Sequence, residues 1–431
     1  MGKSKTVFSY WTLVFGTPNQ RPITKDQRLT MSEVYIYDFV RTPCGRGDET
    51  GALFPIKPID LLGRCLTALQ NRNKLEEVPV DDAILGCTVP FGDQGDNIMK
   101  TALVFAGWSA SIPAMQVNRF QASSLSALGL AAAKIRSGWS SLIVVGGIES
   151  SSRVKRSNFR GAISSDPSII NQIGSIPSGM AADLLATLHD IERAAIDEYA
   201  IQSNEKALSA QQAGHFQNAL IPIYDQNDIA ILKQDELIRE GVSIETLSEL
   251  PTIFPKWGRA GFEVAALKKY PLVEKINAYH TAENISPAAD GAALMILGTA
   301  DQSSILGTKP KAKIITVATA SSDLTIMHLG GTLAAEKALQ QAKFQPKDID
   351  LWYINEPFAA VGLYFKNHFN IADQQLNTCG STIALGEPLG ATGAILLSIL
   401  ISELERQKLK RGLLSISAEG GMGVSMIVEI E

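Results

Sequence analysis

The sequence predicts an α/β protein made of two related halves, with a long insertion between them. Three observations support this fold class. Strand-like apolar runs alternate with helix-like patterns from Met31 onward, which is typical of α/β layers with largely parallel sheets. One supersecondary pattern occurs twice. Between its two copies, residues 154–275 carry Lys, Arg, Gln and His freely, which is typical of an inserted cap rather than of a buried layer.

Composition places the chain among ordinary globular proteins. It has 431 residues, of which 45% are hydrophobic and 19% are charged, so it is long enough for two to four domains. The net charge of −5 offers no basic field for nucleic acid, which is excluded as a partner. Four scattered cysteines without a Cys-x-x-Cys pair predict neither a disulfide framework nor a metal site. No apolar run is long enough to cross a bilayer, so no membrane partner is expected.

The first thirty residues are basic and contain a short apolar run at 7–15. This composition admits an organelle-targeting peptide, but Pro18 and Pro22 interrupt any amphipathic helix and no small-residue cleavage site follows. Strand-like periodicity begins only after Met31. Residues 1–30 are therefore interpreted as an extension of unknown use, and a cytoplasmic protein is expected, with targeting as the alternative.

The elements follow in order along the chain. Strands are predicted at 34–37, 83–85, 142–145, 294–297, 312–317 and 351–354. Helices are predicted at 60–69, 124–136, 190–213, 331–342 and 393–405. Within the insertion, 194–213 is helical and 157–179 is loop-like.

The repeated pattern is a turn, a helix rich in small residues, and a strand that ends in paired glycines. In the first copy the turn at 121–124 opens the helix, and the strand ends at Gly146-Gly147. In the second copy the turn is at 390–393, and the strand at 413–416 leads to 420–423. Small residues let backbones approach closely, so the two halves are expected to meet across these helices.

The predicted domain organisation follows from the repeat and the insertion. Its parts are an extension at 1–30, an N-terminal half at 31–153 with 276–302, a cap at 154–275 and a C-terminal half at 303–431.

Several ordered motifs now match one family. They are RTP at 41–43, LGC at 85–87, VNRF at 117–120, GGIES at 146–150, NEPFAA at 355–360, ALG at 384–386, GATG at 390–393 and GGMG at 420–423. From Met31 to the C terminus the chain resembles a thiolase, one of the CoA-dependent enzymes that form or cleave 3-ketoacyl-CoA. The resemblance implies a layered αβαβα core of two pseudo-repeated halves, with an inserted cap domain.

The resemblance also implies that three catalytic positions are changed. Gln121 stands at the position of the nucleophilic cysteine, Glu387 at that of the Gly-His-Pro histidine, and Ser417 at that of the second cysteine. The lone pair of an amide nitrogen is delocalised, so this nitrogen cannot accept an acyl group as a thiolate does. A carboxylate repels a developing oxyanion, and a hydroxyl is a far weaker acid than a thiol. Covalent thiolysis through residue 121 is therefore not expected.

The binding residues of the family have counterparts here. Asn355 matches the asparagine that holds an oxyanion-hole water, and the backbone N–H groups of Gln121 and Glu419 match the second oxyanion site. Glu419 stands in place of a glycine, so a positive φ there would distort the site. Ser286 matches a serine that contacts pantetheine, and Met180 falls where the cap lines the acyl-CoA tunnel. Plain structural roles are the alternatives for Asn355, Ser286 and Met180.

The remaining histidines and cysteines receive structural interpretations. The five histidines sit in no catalytic motif of the family and are interpreted as surface or satisfied polar residues. Cys379 is interpreted as a small buried residue rather than a relocated nucleophile.

Three functions remain open at this point. The chain is either a catalytically degenerate subunit or a remodelled enzyme that acts without a covalent intermediate on a CoA or carrier thioester. The alternative is an ordinary acetyl-CoA acetyltransferase or 3-ketoacyl-CoA thiolase. In each case the expected ligand is a CoA thioester with no permanently bound cofactor, and the expected assembly is a homodimer or a hetero-oligomer with another thiolase-fold subunit.

Overall fold

The computed structural model describes residues 32–430, apart from 74, 76–77, 156–160 and 258–260. The extension predicted at 1–30 lies outside the described residues. Among the described residues, no helix combines the length and the apolar character that crossing a membrane requires.

Twelve strands occur in the described chain. They are β1 (Tyr35–Arg41), β2 (Gly45–Arg46), β3 (Asp82–Cys87), β4 (Ala114–Val117), β5 (Leu142–Ser150), β6 (Ile223–Tyr224), β7 (Ala230–Leu232), β8 (Ala289–Gly298), β9 (Ala312–Ser321), β10 (Leu351–Ile354), β11 (Arg411–Ser417) and β12 (Met422–Ile430). All seven predicted strands, including the one at 413–416 in the repeated pattern, are confirmed, and most of them extend further than the apolar run that predicted them.

The helices of the described chain are numbered in the same way. They are α1 (Pro58–Asn73), α2 (Ile98–Phe105), α3 (Ser123–Arg136), α4 (Ala162–Ser165), α5 (Pro167–Ile173), α6 (Ser178–Leu188), α7 (Arg193–Gln212), α8 (Ile244–Ser248), α9 (Pro255–Trp257), α10 (Glu263–Lys269), α11 (Gln302–Leu306), α12 (Gly330–Ala342), α13 (Ala359–Phe369), α14 (Thr382–Leu385) and α15 (Thr392–Gln407). The prediction of a loop at 157–179 is wrong for its described part, which contains α4, α5 and the start of α6.

The sheet topology repeats, as the sequence pattern predicted. One half has the strand order β3-β5-β8-β1, with β4 at its edge, and the other half has the order β10-β11-β12-β9. The pairing directions also match: the first pair in each half is parallel, and the next two pairs are antiparallel. A two-residue pairing of β1 with β9 joins the halves.

The expectation of largely parallel sheets is wrong, because most of the named pairings in the main sheet are antiparallel. The cause is the way the strands are connected. A turn of a few residues, at 418–421, joins β11 to β12 and forces them to run in opposite directions. The corresponding connection between β5 and β8 is the long insertion, so local sequence carries no signal of the strand direction there.

The central helices α3 and α15 pack against each other, which confirms the predicted meeting of the halves. The Ala394 N–H donates a hydrogen bond of 3.0 Å to Ser124 Oγ. A Cβ atom on Gly393 would lie 2.8 Å from Leu125 Cβ. Only glycine permits this approach without a shift of the helices, since real Cβ atoms do not come so close.

A buried ion pair ties the insertion to the core. The Arg41 guanidinium donates two hydrogen bonds, of 2.7 and 2.8 Å, to the carboxylate of Asp235. Both side chains are fully buried, and the Cys44 N–H also donates to this carboxylate, at 2.8 Å. The pair therefore joins the end of β1 to a segment of the insertion. The precise domain boundaries given above remain a prediction.

Candidate active site

Gln121 lies on a tight turn immediately before α3. Phe120 has the left-handed φ of +48°, which is uncommon for a residue with a side chain. Its carbonyl oxygen accepts hydrogen bonds from Ser123 Oγ at 2.6 Å and Thr88 Oγ1 at 3.0 Å, and these contacts hold the turn in place. Gln121 itself is 7% exposed.

The Gln121 side chain contacts the turn between β11 and β12. Its Oε1 accepts a hydrogen bond of 3.1 Å from the Glu419 N–H. This is one of the two N–H groups that the family resemblance assigned to an oxyanion site, and in this structure the side-chain amide oxygen takes it. The anticipated strain at Glu419 is not observed, because the positive φ angles of this turn fall on Gly420 and Gly421, at +71° and +78°.

Asn355 links Glu387 and Ser417, which the family resemblance aligns with two catalytic positions. Its Nδ2 donates hydrogen bonds to Glu387 Oε1 at 2.7 Å and to the Ser417 carbonyl oxygen at 2.9 Å. Its Oδ1 accepts from the Ser417 N–H at 2.8 Å. An amide nitrogen has two N–H groups, and both are engaged here by protein atoms. Asn355 could therefore hold a water through this nitrogen only if Glu387 or the Ser417 carbonyl gave up its contact.

Glu387 is a nearly buried carboxylate, 5% exposed, in the turn between α14 and α15. The turn begins at Gly386, whose φ is +85°, and the Glu387 N–H donates to the Pro287 carbonyl at 2.9 Å. Ser417, which is also buried, uses its hydroxyl for structure. Ser417 Oγ donates to the His328 carbonyl at 3.0 Å and accepts from the Gly331 N–H at 3.2 Å.

The structure thus brings the predicted catalytic residues into two hydrogen-bonded groups. One is Gln121 with Glu419, and the other is Asn355 with Glu387 and Ser417. Ser417 is the last residue before the turn at 418–421 and Glu419 lies within it, so the two groups adjoin each other.

The two predicted CoA-binding residues lie elsewhere. Ser286 Oγ is 2.6 Å from the Glu356 carbonyl oxygen and 2.7 Å from Thr382 Oγ1, so it ties the segment before β8 to the motif that carries Asn355. Met180 is 3% exposed and packs with Met327 of the C-terminal half in an apolar cluster made mostly of cap residues. Their contacts in this structure are with protein atoms, and their roles toward CoA stay a prediction.

A cavity of about 670 Å³ opens beside the Gln121 turn. It lies between core loops on one side and cap helices on the other. Its lining is mainly apolar, and Glu419 is the one charged residue among the described lining residues. The lining consists of Thr88, Val89, Pro90, Asn118, Phe120, Gly161, Ile163, Ile170, Ser175, Ile176, Pro177, Ser178, Phe262, Met327, Glu419 and Gly420. A cleft of this size and character suits a small-molecule ligand.

A buried carboxylate that sequence reasoning missed, Glu149, fixes the backbone around this site. It accepts hydrogen bonds from the N–H groups of Thr88 and Gly390 and from the side chain of Gln94, at 2.7–3.0 Å. Burial raises the pKa of Glu149, while these hydrogen bonds oppose the rise. Glu149 therefore joins a cavity loop of the first half to the turn that follows Glu387. Its position in the GGIES motif is the sequence feature that could have identified Glu149 as part of the site.

Glu356 serves the same purpose in the second half. Its carboxylate accepts from Ser203 Oγ at 2.7 Å, from Asn377 Nδ2 at 2.6 Å and from the Tyr199 hydroxyl at 2.9 Å. Burial raises the pKa of Glu356, and the hydrogen bond from Ser203 is the largest opposing effect. Because Tyr199 and Ser203 lie on the cap helix α7, this carboxylate attaches the cap beside Asn355.

The thiols of the described chain are buried and protonated near neutral pH. Burial is the main cause that raises the pKa of all four cysteines, to about 12 for Cys65 and Cys379 and higher for Cys44 and Cys87. None is a ready thiolate, since a nucleophilic cysteine needs a lowered pKa. The structural interpretation of Cys379 agrees with its burial.

Of the five histidines, which were interpreted as surface or satisfied polar residues, two lie in the interior. His280 and His328 are buried and both pack edge-on against Phe358, with ring centroids 5.3 and 4.9 Å from it. Burial lowers the pKa of His328 to about 4, so its ring is neutral at pH 7. His328 Nε2 lies 2.8 Å from the carbonyl oxygen of Ser178, a cavity residue. His280, His328 and Phe358 are far apart in sequence, so the contact of the two histidines with Phe358 could not be predicted without the fold.

Residues 34–261 match the model of the thiolase N-terminal domain, and residues 308–430 match that of the thiolase C-terminal domain. The chain belongs to the thiolase family. The thiolase fold accounts for the repeated sheet topology and for the central pair of helices. The family is therefore established by both halves of the chain.

Curated relatives and a solved structure agree with this assignment. The thiolase chain is 32% identical to a 3-ketoacyl-CoA thiolase of Saccharophagus degradans over 407 residues, which cover 92% of this chain and 98% of the relative. It is also 32% identical to an acetyl-CoA acetyltransferase of Cupriavidus necator, over 93% of this chain and 100% of the relative. The crystal structure of the Bacillus anthracis acetyl-CoA acetyltransferase superposes with a TM-score of 0.79 at 28% identity, covering 93% of this chain and all of the other.

Proposed function

We propose that this thiolase-family protein binds an acyl-CoA or a related carrier thioester in the cavity beside Gln121. The observation that carries the proposal is the position of the cavity, whose apolar lining ends at Glu419, the residue whose N–H is bonded to the Gln121 side chain. An acyl chain suits the apolar wall. The thioester would then lie at this turn, where its carbonyl oxygen would compete with Gln121 Oε1 for the Glu419 N–H.

The proposal extends to the chemistry of the site. The three catalytic groups of a thiolase are replaced at Gln121, Glu387 and Ser417, so the protein does not pass through an acyl-enzyme at residue 121. Two hydrogen-bond patterns support this part: the amide of Gln121 is engaged with Glu419, and Glu387 is engaged with Asn355. A protein of this kind is either a catalytically degenerate subunit or an enzyme that acts on the thioester without a covalent intermediate.

The ordinary thiolase is the second candidate. It is favoured by the names of the relatives, which are 3-ketoacyl-CoA thiolases and acetyl-CoA acetyltransferases at about 32% identity. These names support the ordinary thiolase more than they support a degenerate protein. The chemistry of the residue at position 121 favours the first candidate instead. A covalent enzyme that loses its nucleophile becomes slower by several orders of magnitude. A cytoplasmic location is part of the proposal for either candidate.

Ligand binding is tested by thermal melting. An acyl-CoA at about 100 times its Kd is expected to raise Tm by roughly 3–5 °C, since a ligand of the native state stabilises it by mass action. Ile170→Trp should abolish this rise, because Ile170 lines the cavity from the cap and an indole would fill the space. Leu272→Trp is the control, since Leu272 is 96% exposed and outside the cavity lining. An unchanged Tm of the parent protein at millimolar acyl-CoA would contradict the binding proposal.

Self-association along the β4 edge is also proposed. The edge strand β4 and helix α2 present Val104, Phe105 and Met115, which are 52%, 59% and 38% exposed. The neighbouring Ile112 is 6% exposed and belongs to the core, so it adds nothing to this surface. Light scattering is expected to show a dimer at micromolar concentration, and Phe105→Glu with Met115→Glu should shift it toward monomer. A monomeric parent protein would overturn this proposal.

A further inference from the structure

Three side chains with metal-ligating atoms meet where the cap joins the C-terminal half. His215 follows the end of α7, Cys379 lies in the turn between α13 and α14, and Glu403 is on α15. Cys379 is fully buried and the Glu403 side chain is 2% exposed, while the His215 side chain is 25% exposed. The cluster therefore has a buried floor and one side open to solvent, which provides an entry path for an ion.

The distances between the ligand atoms are close to those of a tetrahedral site. His215 Nδ1 lies 3.9 Å from Cys379 Sγ and 3.6 Å from Glu403 Oε1, and one ligand atom of each residue lies within 4.8 Å of the others. Zinc bonds of about 2.3 Å to sulfur and 2.1 Å to nitrogen and oxygen correspond to tetrahedral edges of roughly 3.6 and 3.4 Å. Each of the two observed separations would need to shorten by only a few tenths of an ångström.

We propose that His215, Cys379 and Glu403 bind a zinc ion through Nδ1, Sγ and a carboxylate oxygen, with water as the fourth ligand. One thiolate, one imidazole and one carboxylate form a ligand set that suits zinc and its spectroscopic substitute cobalt, whereas magnesium and calcium prefer oxygen ligands alone. Sequence reasoning predicted no metal site, because these residues come from three distant segments.

Arg406 is the competitor of the ion for Glu403. Its Nε donates to Glu403 Oε1 and its Nη2 to Oε2, each at 2.7 Å. The Arg406 side chain is 44% exposed, so it can turn into solvent when a doubly charged ion takes the carboxylate. Gln407 Nε2 and Thr378 Oγ1, which donate to Oε2 at 2.9 and 3.3 Å, then remain as neutral partners that orient the ligand.

The binding step has a simple proton balance. As the zinc–sulfur bond forms, the Cys379 Sγ–H proton leaves to the solvent, and His215 binds as neutral imidazole. One proton is released per ion, and no oxidant or reductant is needed. The bound ion would join the end of the cap helix α7 to α15 and to the segment that leads to Glu387.

The test uses the full-length protein after removal of metal with a chelator, and cobalt(II) as the probe with zinc as competitor. One cobalt per chain is expected, with a thiolate-to-cobalt absorption band and displacement by zinc. Cys379→Ser should remove the band, and His215→Ala should weaken binding about tenfold or more. Arg406→Gln should tighten binding, because it removes the competing cation. His368→Ala is the matched control, since His368 pairs with Glu336 elsewhere, and should leave binding unchanged.

Each variant is first checked by melting, so that a folding defect is not taken for a lost ligand. If Cys379→Ser does not fold, the opposite effects expected of His215→Ala and Arg406→Gln still decide the question. Absence of cobalt and zinc binding at about 10 μM would overturn the proposal. So would a bound ion whose affinity is the same in His215→Ala and Arg406→Gln as in the parent protein.

Discussion

Changing Gln121→Cys, Glu387→His and Ser417→Cys together is expected to raise the rate of acetoacetyl-CoA thiolysis by roughly four to six orders of magnitude over the parent protein. Loss of a nucleophile and its base costs a covalent enzyme about this much. The triple variant would supply a thiol, a histidine to activate it and a second thiol for proton transfer. The measurement is the consumption of acetoacetyl-CoA in the presence of CoA.

The contacts of the parent site explain why the change at residue 121 is not expected to suffice alone. Gln121→Cys frees the Glu419 N–H, which Gln121 Oε1 occupies in the parent protein. Glu387→His removes the carboxylate that takes one N–H of Asn355, so that the asparagine can hold a water. Gln121→Cys alone is the control and should remain far slower, because Glu387 beside the site would disfavour the thiolate and the oxyanion. A parent protein as active as the folded triple variant would contradict the replacement hypothesis.

Asp235→Ala is expected to lower the free energy of unfolding by about 3–5 kcal/mol, the cost of leaving a buried charge without its partner. The Arg41 guanidinium is fully buried against this carboxylate, and its Nε already lacks a hydrogen-bond partner in the structure. Because Asp235 belongs to the insertion, its loss should also loosen the attachment of the cap to β1. Denaturant unfolding measures the free energy.

The matched control for this substitution is Asp93→Ala. Asp93 pairs with Arg153 at 2.7 Å, but the two side chains are 44% and 24% exposed. Solvent-exposed pairs contribute about 0–1 kcal/mol, so this change should have a small effect. If Asp235→Ala and Asp93→Ala lowered the free energy of unfolding equally, burial would not determine how much the Arg41–Asp235 pair contributes to stability.

The fold was largely predictable because its signals are local. The apolar run at 142–145 and the small residues of α3 and α15 identify the repeated unit without knowledge of the partner strands. Strand direction was not predictable in the same way. It depends on whether the connecting segment returns the chain to the same edge of the sheet or carries it to the opposite edge. The helices α2 and α13 were also missed. Both are short, and α13 contains Gly362 and four aromatic or histidine residues, which weakens a helical pattern.

Motif order proposes a set of candidate positions, but it cannot give the contacts between them. Motif order identified residues 121, 355, 387, 417 and 419, yet the bond from Asn355 to Glu387 depends on how two turns face each other. The same limit applies to His280 and His328, which meet only through Phe358. His215, Cys379 and Glu403 form the extreme case, because each comes from a different element and none belongs to a metal-binding motif.

The most direct test of the central claim is the intact mass of the parent protein after incubation with saturating acetyl-CoA or acetoacetyl-CoA. Binding is established in the same sample by the rise in Tm, so that a negative result does not reflect an empty site. We expect a rise in Tm with no added acyl group, because the Gln121 amide cannot be acylated. A mass increase of one acetyl group that maps to the Gln121 peptide and disappears on addition of CoA would contradict it.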